Sequence, residues 1–206
     1  LTDGESVAKL RAAVAERWGA LDALVLNAAM LGSLSPVEHI DPKEYARVLT
    51  LNVGSNQALI AAFDQMLRKA DRADIIGITS SVGHQPRAFW GAYGSSKAAL
   101  ENLLGAYADE TEHTGRIRVH IVNPGPTRTG MRQFAYPAEE PESVKPPEAV
   151  AEFILIRLLS DAETGELVRA EGWLRRAAPP ARPGEVHCPA PKRILTSGGG
   201  YRIWVG

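Results

Sequence analysis

The sequence predicts an α/β fold built on a doubly wound parallel sheet. Short apolar runs at 21–27, 74–79 and 118–123 alternate with helical stretches of 15 residues or more. That rhythm gives parallel strands joined by crossover helices. A second observation is that Asn27, Ser80 and Asn123-Pro124-Gly125 stand at the ends of those runs. In open parallel sheets, ligands bind beyond the carboxyl ends of the strands.

Each element has a local signal. Thr2-Asp3-Gly4 opens an amphipathic helix with Val7, Leu10, Val14 and Trp18 on one stripe. Residues 21–27 follow Gly19 as a buried strand. Asp41-Pro42-Lys43-Glu44 combines an N-cap, a proline at the first helical position and a glutamate reaching back, and predicts a helix to about residue 67. A strand over 74–79 and a long helix over 92–112 come next, the helix stopped by Thr114-Gly115. The strand at 118–123 ends at Pro124-Gly125. Residues 128–146 read as a loop or short helices, Pro147-Glu148-Ala149 opens a helix to 159, and 166–170 is a candidate edge strand.

Composition narrows the function classes. Hydrophobic content of 45% and charged content of 23% over 206 residues suit one globular domain with a substantial core. A net charge of −1 gives no electrostatic footprint for nucleic acid or an acidic membrane. No apolar run approaches the length of about 20 residues that spans a bilayer. A single cysteine, Cys188, excludes an intrachain disulfide and fits a cytoplasmic setting. His187-Cys188 reads as a chance pair, and Gly198-Gly199-Gly200 lacks the strand and helix that frame a phosphate loop.

The chemistry concentrates in Tyr93-Gly94-Ser95-Ser96-Lys97, preceded by Thr79-Ser80-Ser81. A phenol and an amine at i and i+4 share one helix face. An ammonium there favours phenolate and draws the phenol towards neutrality, as a general acid/base requires. The bare pair is weak evidence, since a buried tyrosine beside a solvated lysine is common. Its neighbours strengthen it: Leu26-Asn27-Ala28-Ala29, then Asn52, then Ile78-Thr79-Ser80-Ser81-Val82-Gly83, then Tyr93 thirteen residues after Ser80, then Asn123-Pro124-Gly125-Pro126-Thr127-Arg128-Thr129.

This order and spacing resembles the short-chain dehydrogenase/reductase family of NAD(P)-dependent oxidoreductases, over residues 1–172, in a bacterial subgroup of unestablished substrate. The resemblance implies a Rossmann-type sheet and NAD or NADP as cofactor. The family carries a βαβαβ stretch and a glycine-rich turn before the point where this chain starts. The chain therefore reads as missing its first strands, about 60 residues at 30 per βαβ unit. Residues 173–206 form a Pro/Ala/Gly-rich extension expected to be disordered, read as either a natural extension or a reading-frame error.

By the same resemblance, Tyr93 is the general acid/base, and Lys97 holds Tyr93 towards phenolate and bonds the nicotinamide ribose. Ser80, preferred over Ser81, donates to the substrate oxygen. Asn52 bends its helix and binds a water that relays protons to Lys97. Asn27 and Ala28 lie near the adenosine, with Leu26 and Ala29 departing from the family's Asn and Gly. Pro124, Gly125, Thr127 and Thr129 approach the nicotinamide. Val82, Trp90, Met131 and Phe134 are candidates for an apolar substrate pocket, with simple loop packing an equal reading of each. Leu59, Ile60, Phe63, Leu103, Leu104 and Tyr107 suit either a homodimer or homotetramer interface or the core. The function implied is a carbonyl/alcohol oxidoreductase acting on a small molecule. The alternatives are a non-catalytic dinucleotide-binding module and an inactive fragment of a longer enzyme.

Overall fold

Asp3 starts the first helix by accepting hydrogen bonds from the backbone N–H groups of Glu5 and Ser6, and α1 runs Gly4–Trp18. Strand β1, Ala23–Leu26, is buried on both faces. Asp41 accepts from the N–H of Glu44, with Pro42 at the first position of α2, Pro42–Leu49. The single helix expected to residue 67 is interrupted by a wide π turn at Thr50–Gly54 before α3, Ser55–Leu67. Then come β2, Ala73–Ile78; the short α4, Ser81–His84; α5, Gly91–Glu112; and β3, Ile117–Asn123. Two helices, α6, Gly130–Ala135, and α7, Pro147–Leu159, precede the strands β4, Leu167–Arg169, and β5, Ile203–Val205. This computed structural model describes residues 1–170 and the backbone of 203–205.

The sheet order is β4-β3-β2-β1-β5, with every neighbouring pair parallel. Alternation along each strand divides the core into two. Leu24, Leu26, Ile75, Val119 and Ile121 meet Val7 and Val14 of α1, Leu59, Ile60 and Phe63 of α3, and Leu100 and Leu104 of α5. Leu59, Ile60, Phe63 and Leu104 thus serve the core, with Tyr107 packed against it. On the other face Val25, Ile76 and Val122 meet Phe153 and Leu158 of α7. Gly77 allows α5 to lie close on β2, because a Cβ there would stand 2.1 Å from Leu104 Cδ1.

A polar cluster ties α7 to its face of the sheet. Asp74, 1% exposed, accepts from Arg118 Nε at 2.8 Å and His120 Nε2 at 2.7 Å. Arg118 also donates to the carbonyls of Leu158 and Ser160 at the end of α7. A buried carboxylate is tolerated when it is paired in this way.

The extension expected to be disordered differs from that reading at one point. Ile203–Val205 pairs with β1 in the register Ala23↔Ile203, Leu24↔Trp204 and Val25↔Val205. The remainder of that expectation, with His187-Cys188 and Gly198-Gly199-Gly200, lies outside the described residues. No helix among the described residues is long and apolar enough to cross a membrane.

Candidate active site

Tyr93 and Lys97 sit in the first turns of α5 and are 8% and 2% exposed. Lys97 Nζ donates to the carbonyl of Ile78, the last residue of β2, at 2.8 Å. Its Nζ lies 5.7 Å from the centre of the Tyr93 ring. The helix therefore supplies the spacing and the strand end fixes the amine.

The charge balance corrects the expectation from spacing. Burial pushes the Tyr93 phenol up to about 12, away from neutrality. Burial also brings Lys97 down to about 8, with Glu101 opposing the shift. Desolvation penalises the charged form of each group, and here it outweighs the attraction of the ammonium. The phenol is thus held protonated at neutral pH.

Asn52 lies in the π turn and is fully buried. Its Oδ1 accepts from Met30 N at 2.8 Å, and its Nδ2 donates to Met30 O and to Ser96 Oγ, each at 2.9 Å. Ser96 Oγ donates to the carbonyl of Tyr93 at 2.7 Å. The backbone carbonyl of Asn52 accepts from Asn56 Nδ2 at 2.7 Å. The Asn52 side chain thereby joins the segment after β1 to α5.

Ser80 has extended backbone at the N-cap of α4, and its carbonyl accepts from Gly83 N at 2.9 Å. Behind it Glu101 Oε1 accepts from Thr79 Oγ1 at 2.5 Å and lies 3.1 Å from His84 Nδ1. Glu101 thus anchors both ends of the turn that carries Ser80 and Ser81. The four-residue α4 has too few residues for a periodic signal, and the sequence reading missed it.

Beyond β3, Asn123 Oδ1 accepts from Gly125 N at 3.0 Å, and Gly125 takes a left-handed φ of 67°. Glycine adopts that conformation without strain. Thr127 Oγ1 donates to the carbonyl of Gly125 at 3.0 Å. Thr129 caps α6 by accepting from Arg132 N at 3.2 Å, so its hydroxyl is already partly engaged.

These elements surround one cavity of about 1310 Å³ at the carboxyl ends of β1, β2 and β3. Asn27, Ala28, Ser80, Tyr93, Lys97, Pro124, Gly125, Thr127 and Thr129 all line it, as do Val82, Trp90 and Met131. Phe134 does not: it is 70% exposed. On α6 the inward face is set by Met131 and Ala135, one turn apart, which pack with Leu31, Val82 and Tyr93; Phe134 falls to one side. Arg87 and Tyr136 are among the lining residues that the sequence does not mark as pocket groups. An isolated arginine in a loop gives no periodic or motif signal.

The residues present fit a dinucleotide. Tightly turned backbone at Gly125 borders the cavity, and Lys97 has three N–H donors of which Ile78 takes one.

Residues 1–140 match the family model described as short chain dehydrogenase. The chain is 34% identical over 180 residues to the uncharacterized oxidoreductase YciK of Escherichia coli K12, covering 87% of this chain and 69% of that one. It is 28% identical over 142 residues to the 2,3-dihydro-2,3-dihydroxybenzoate dehydrogenase of the same organism, spanning 56% of that protein's length. A short chain dehydrogenase from Shigella flexneri, complexed with NADP, superposes with a TM-score of 0.78 at 34% identity, over 82% of this chain and 71% of the other. One from Escherichia coli CFT073, complexed with NADPH, gives 0.78 at 35% identity, over 82% and 70%. The chain belongs to the short-chain dehydrogenase family of NAD(P)-dependent oxidoreductases.

Proposed function

We propose that this chain interconverts a carbonyl and an alcohol, with Tyr93 as general acid and base. The observation that carries this reading is the convergence of Ser80, Tyr93 and Lys97 on one cavity with Asn123-Pro124-Gly125. In reduction, the Tyr93 hydroxyl gives its proton to the substrate oxygen; in oxidation it takes that proton back. A phenol held protonated by burial suits the donor role. Ser80 Oγ donates to the same oxygen and stabilises the charge developing there. Lys97, fixed by Ile78, presents its other donors to the cavity and to a bound ribose. Asn52 acts as a positioning residue through Ser96. The nicotinamide, when bound, supplies or accepts the hydride. The NADP and NADPH complexes of the structural relatives favour NADPH for this chain. A cytoplasmic homodimer or homotetramer completes the proposal; light scattering on the purified chain reads the association.

Replacing Tyr93 with Phe removes only the hydroxyl. Turnover of a responsive carbonyl substrate should fall about 10²–10⁴-fold, with NADPH affinity, read by fluorescence titration, unchanged within twofold. Full turnover in the variant would overturn the assignment. A parallel titration with NADH tests the cofactor preference.

A further inference from the structure

The loop before α5 brings a cation to the substrate side of the cavity. Arg87 donates to the Tyr136 hydroxyl, and its guanidinium lies 6.0 Å from the Trp90 ring centre and 5.6 Å from that of Tyr136. Trp90 in turn stands edge-on to Tyr93, with ring centres 6.1 Å apart. A single aromatic link therefore separates this guanidinium from the reactive phenol. Arg132 flanks the same Tyr136 ring at 3.7 Å, but Glu139 neutralises it through two hydrogen bonds, at 2.6 and 2.7 Å. Arg87 has no carboxylate partner among the described residues. The cluster of Arg87, Arg132 and Glu139 thus keeps one net positive charge.

The loop is built to hold that charge in place. Phe89 takes a left-handed φ of 72°, uncommon for a non-glycine residue. Its carbonyl accepts from Ser35 N at 3.1 Å, and Trp90 N donates to the carbonyl of Arg87 at 3.2 Å. Backbone strain of this kind persists only where its surroundings impose it. The same cavity is lined by the apolar Leu31, Val82, Pro86, Met131 and Ala135 and by the polar Gln85 and Arg132. A guanidinium offers five donors in a planar fork suited to a carboxylate, and Tyr136, which accepts from Arg87, keeps its own proton to donate.

We propose that Arg87, with Tyr136, binds an anionic group on the substrate, so that the preferred substrates are carbonyls or alcohols carrying a carboxylate. The inference rests on the carbonyl/alcohol reading for the reaction but not for the binding. The aromatic link from Arg87 through Trp90 to Tyr93 favours a carboxylate of the substrate over a phosphate of the nucleotide.

Two measurements on the full chain test it. Calorimetric titration compares benzoate with the isosteric, neutral benzamide and with inorganic phosphate. Benzoate should bind at least tenfold more tightly than either, and Arg87→Gln should erase that preference while leaving the melting temperature and NADPH affinity unchanged. Equal binding of benzoate and benzamide, phosphate binding as tight as benzoate, or a preference that survives Arg87→Gln would each overturn the proposal. The second measurement compares kcat/KM for 4-oxocyclohexanecarboxylate and 4-methylcyclohexanone. A tenfold or greater advantage for the acid, lost in Arg87→Gln mainly through KM, supports it; equal values in the wild type overturn it. Arg87-dependent benzoate binding without turnover of either ketone would keep the anion site and count against the redox reading, so the two claims fail separately.

Discussion

Replacing Asn52 with Ala tests whether this amide links the ends of the site. The wild-type side chain makes three hydrogen bonds, two to the backbone of Met30 and one to Ser96 Oγ. Asn52 and Ser96 are both 0% exposed. Truncation at Asn52 therefore leaves Ser96 without that donor in a dry setting, although its bond to the Tyr93 carbonyl survives. The Met30 groups are only part-buried, so water can replace some of what they lose. At about 1 kcal/mol for a typical bond and more for a stranded buried group, the expected loss is about 2–4 kcal/mol. Total stabilities of about 5–15 kcal/mol make that a large fraction. For a chain of this size each kcal/mol lowers the melting temperature by about 2–4 °C, so the drop should be roughly 4–16 °C. Urea unfolding followed by circular dichroism measures the first figure and a thermal scan the second. A loss below about 1 kcal/mol would refute the account, because the network would then be replaceable by solvent. Asn52→Asp keeps the acceptor for Met30 N but loses both donors and sets an unpaired buried carboxylate against the Met30 carbonyl, so it should cost at least as much as Asn52→Ala. In whichever of these variants stays folded at the assay temperature, kcat should fall more than NADPH affinity, since the link runs through Ser96 to Tyr93.

Two further predictions concern the same helix. Lys97 titrates at about 8 when folded, against 10.5 for the free amine. Below pH 8 both states carry the charge and burial penalises the fold in full. Between 8 and 10.5 the unfolded chain holds more protons, so stability rises with pH, by about 2 kcal/mol from pH 7.5 to 9.5. Above pH 10 the trend reverses, because the Tyr93 phenol ionises near 10 when unfolded and only at about 12 when folded. Urea midpoints across that range should show the rise in wild type and lose it in Lys97→Met; an unchanged rise in the variant would assign it elsewhere. Gly77→Ala should cost about 1–3 kcal/mol through overpacking, since the new methyl meets Leu104 Cδ1 at 2.1 Å. Combining it with Leu104→Ala should cost less than the two singles together; strict additivity would deny the contact.

Much of the scaffold is legible from capping chemistry and periodicity. Asp3, Asp41-Pro42 and Pro147 mark helix starts at or within one residue of the observed ones, because these signals act through neighbouring backbone alone. Buried parallel strands are continuous apolar runs, and all three appear with their ends within two residues of the expected ones. What escaped depends on long-range geometry. The resemblance implies a bend at Asn52, but its form, a π turn at Thr50–Gly54, rests on packing of Asn52 against Met30 and Ser96, which local propensity does not encode. The apolarity of Phe134 gave no hint of its direction. The i,i+4 spacing of Tyr93 and Lys97 was right, yet the proton affinity followed burial, a property of the assembled core. Arg87 became visible only once Tyr136 and Trp90 were seen around it.

The pairing of β5 with β1 bears on the order in which the molecule assembles. Its partners stand about 180 residues apart in the chain, whereas β1 and β2 are separated by about 50 residues. Contacts between distant residues form late, because the ordering cost of closing so long a span precedes any gain from pairing. A strand of three residues adds few ladder bonds once it arrives. The sheet is therefore expected to nucleate among β1, β2 and β3 with α5, and to acquire β5 last. The same asymmetry makes β5 the first strand to detach: its amides should exchange with deuterium well before those of Ile75, Ile76 and Val119. While it is away, β1 presents an unpaired edge, the surface through which partly folded copies would associate.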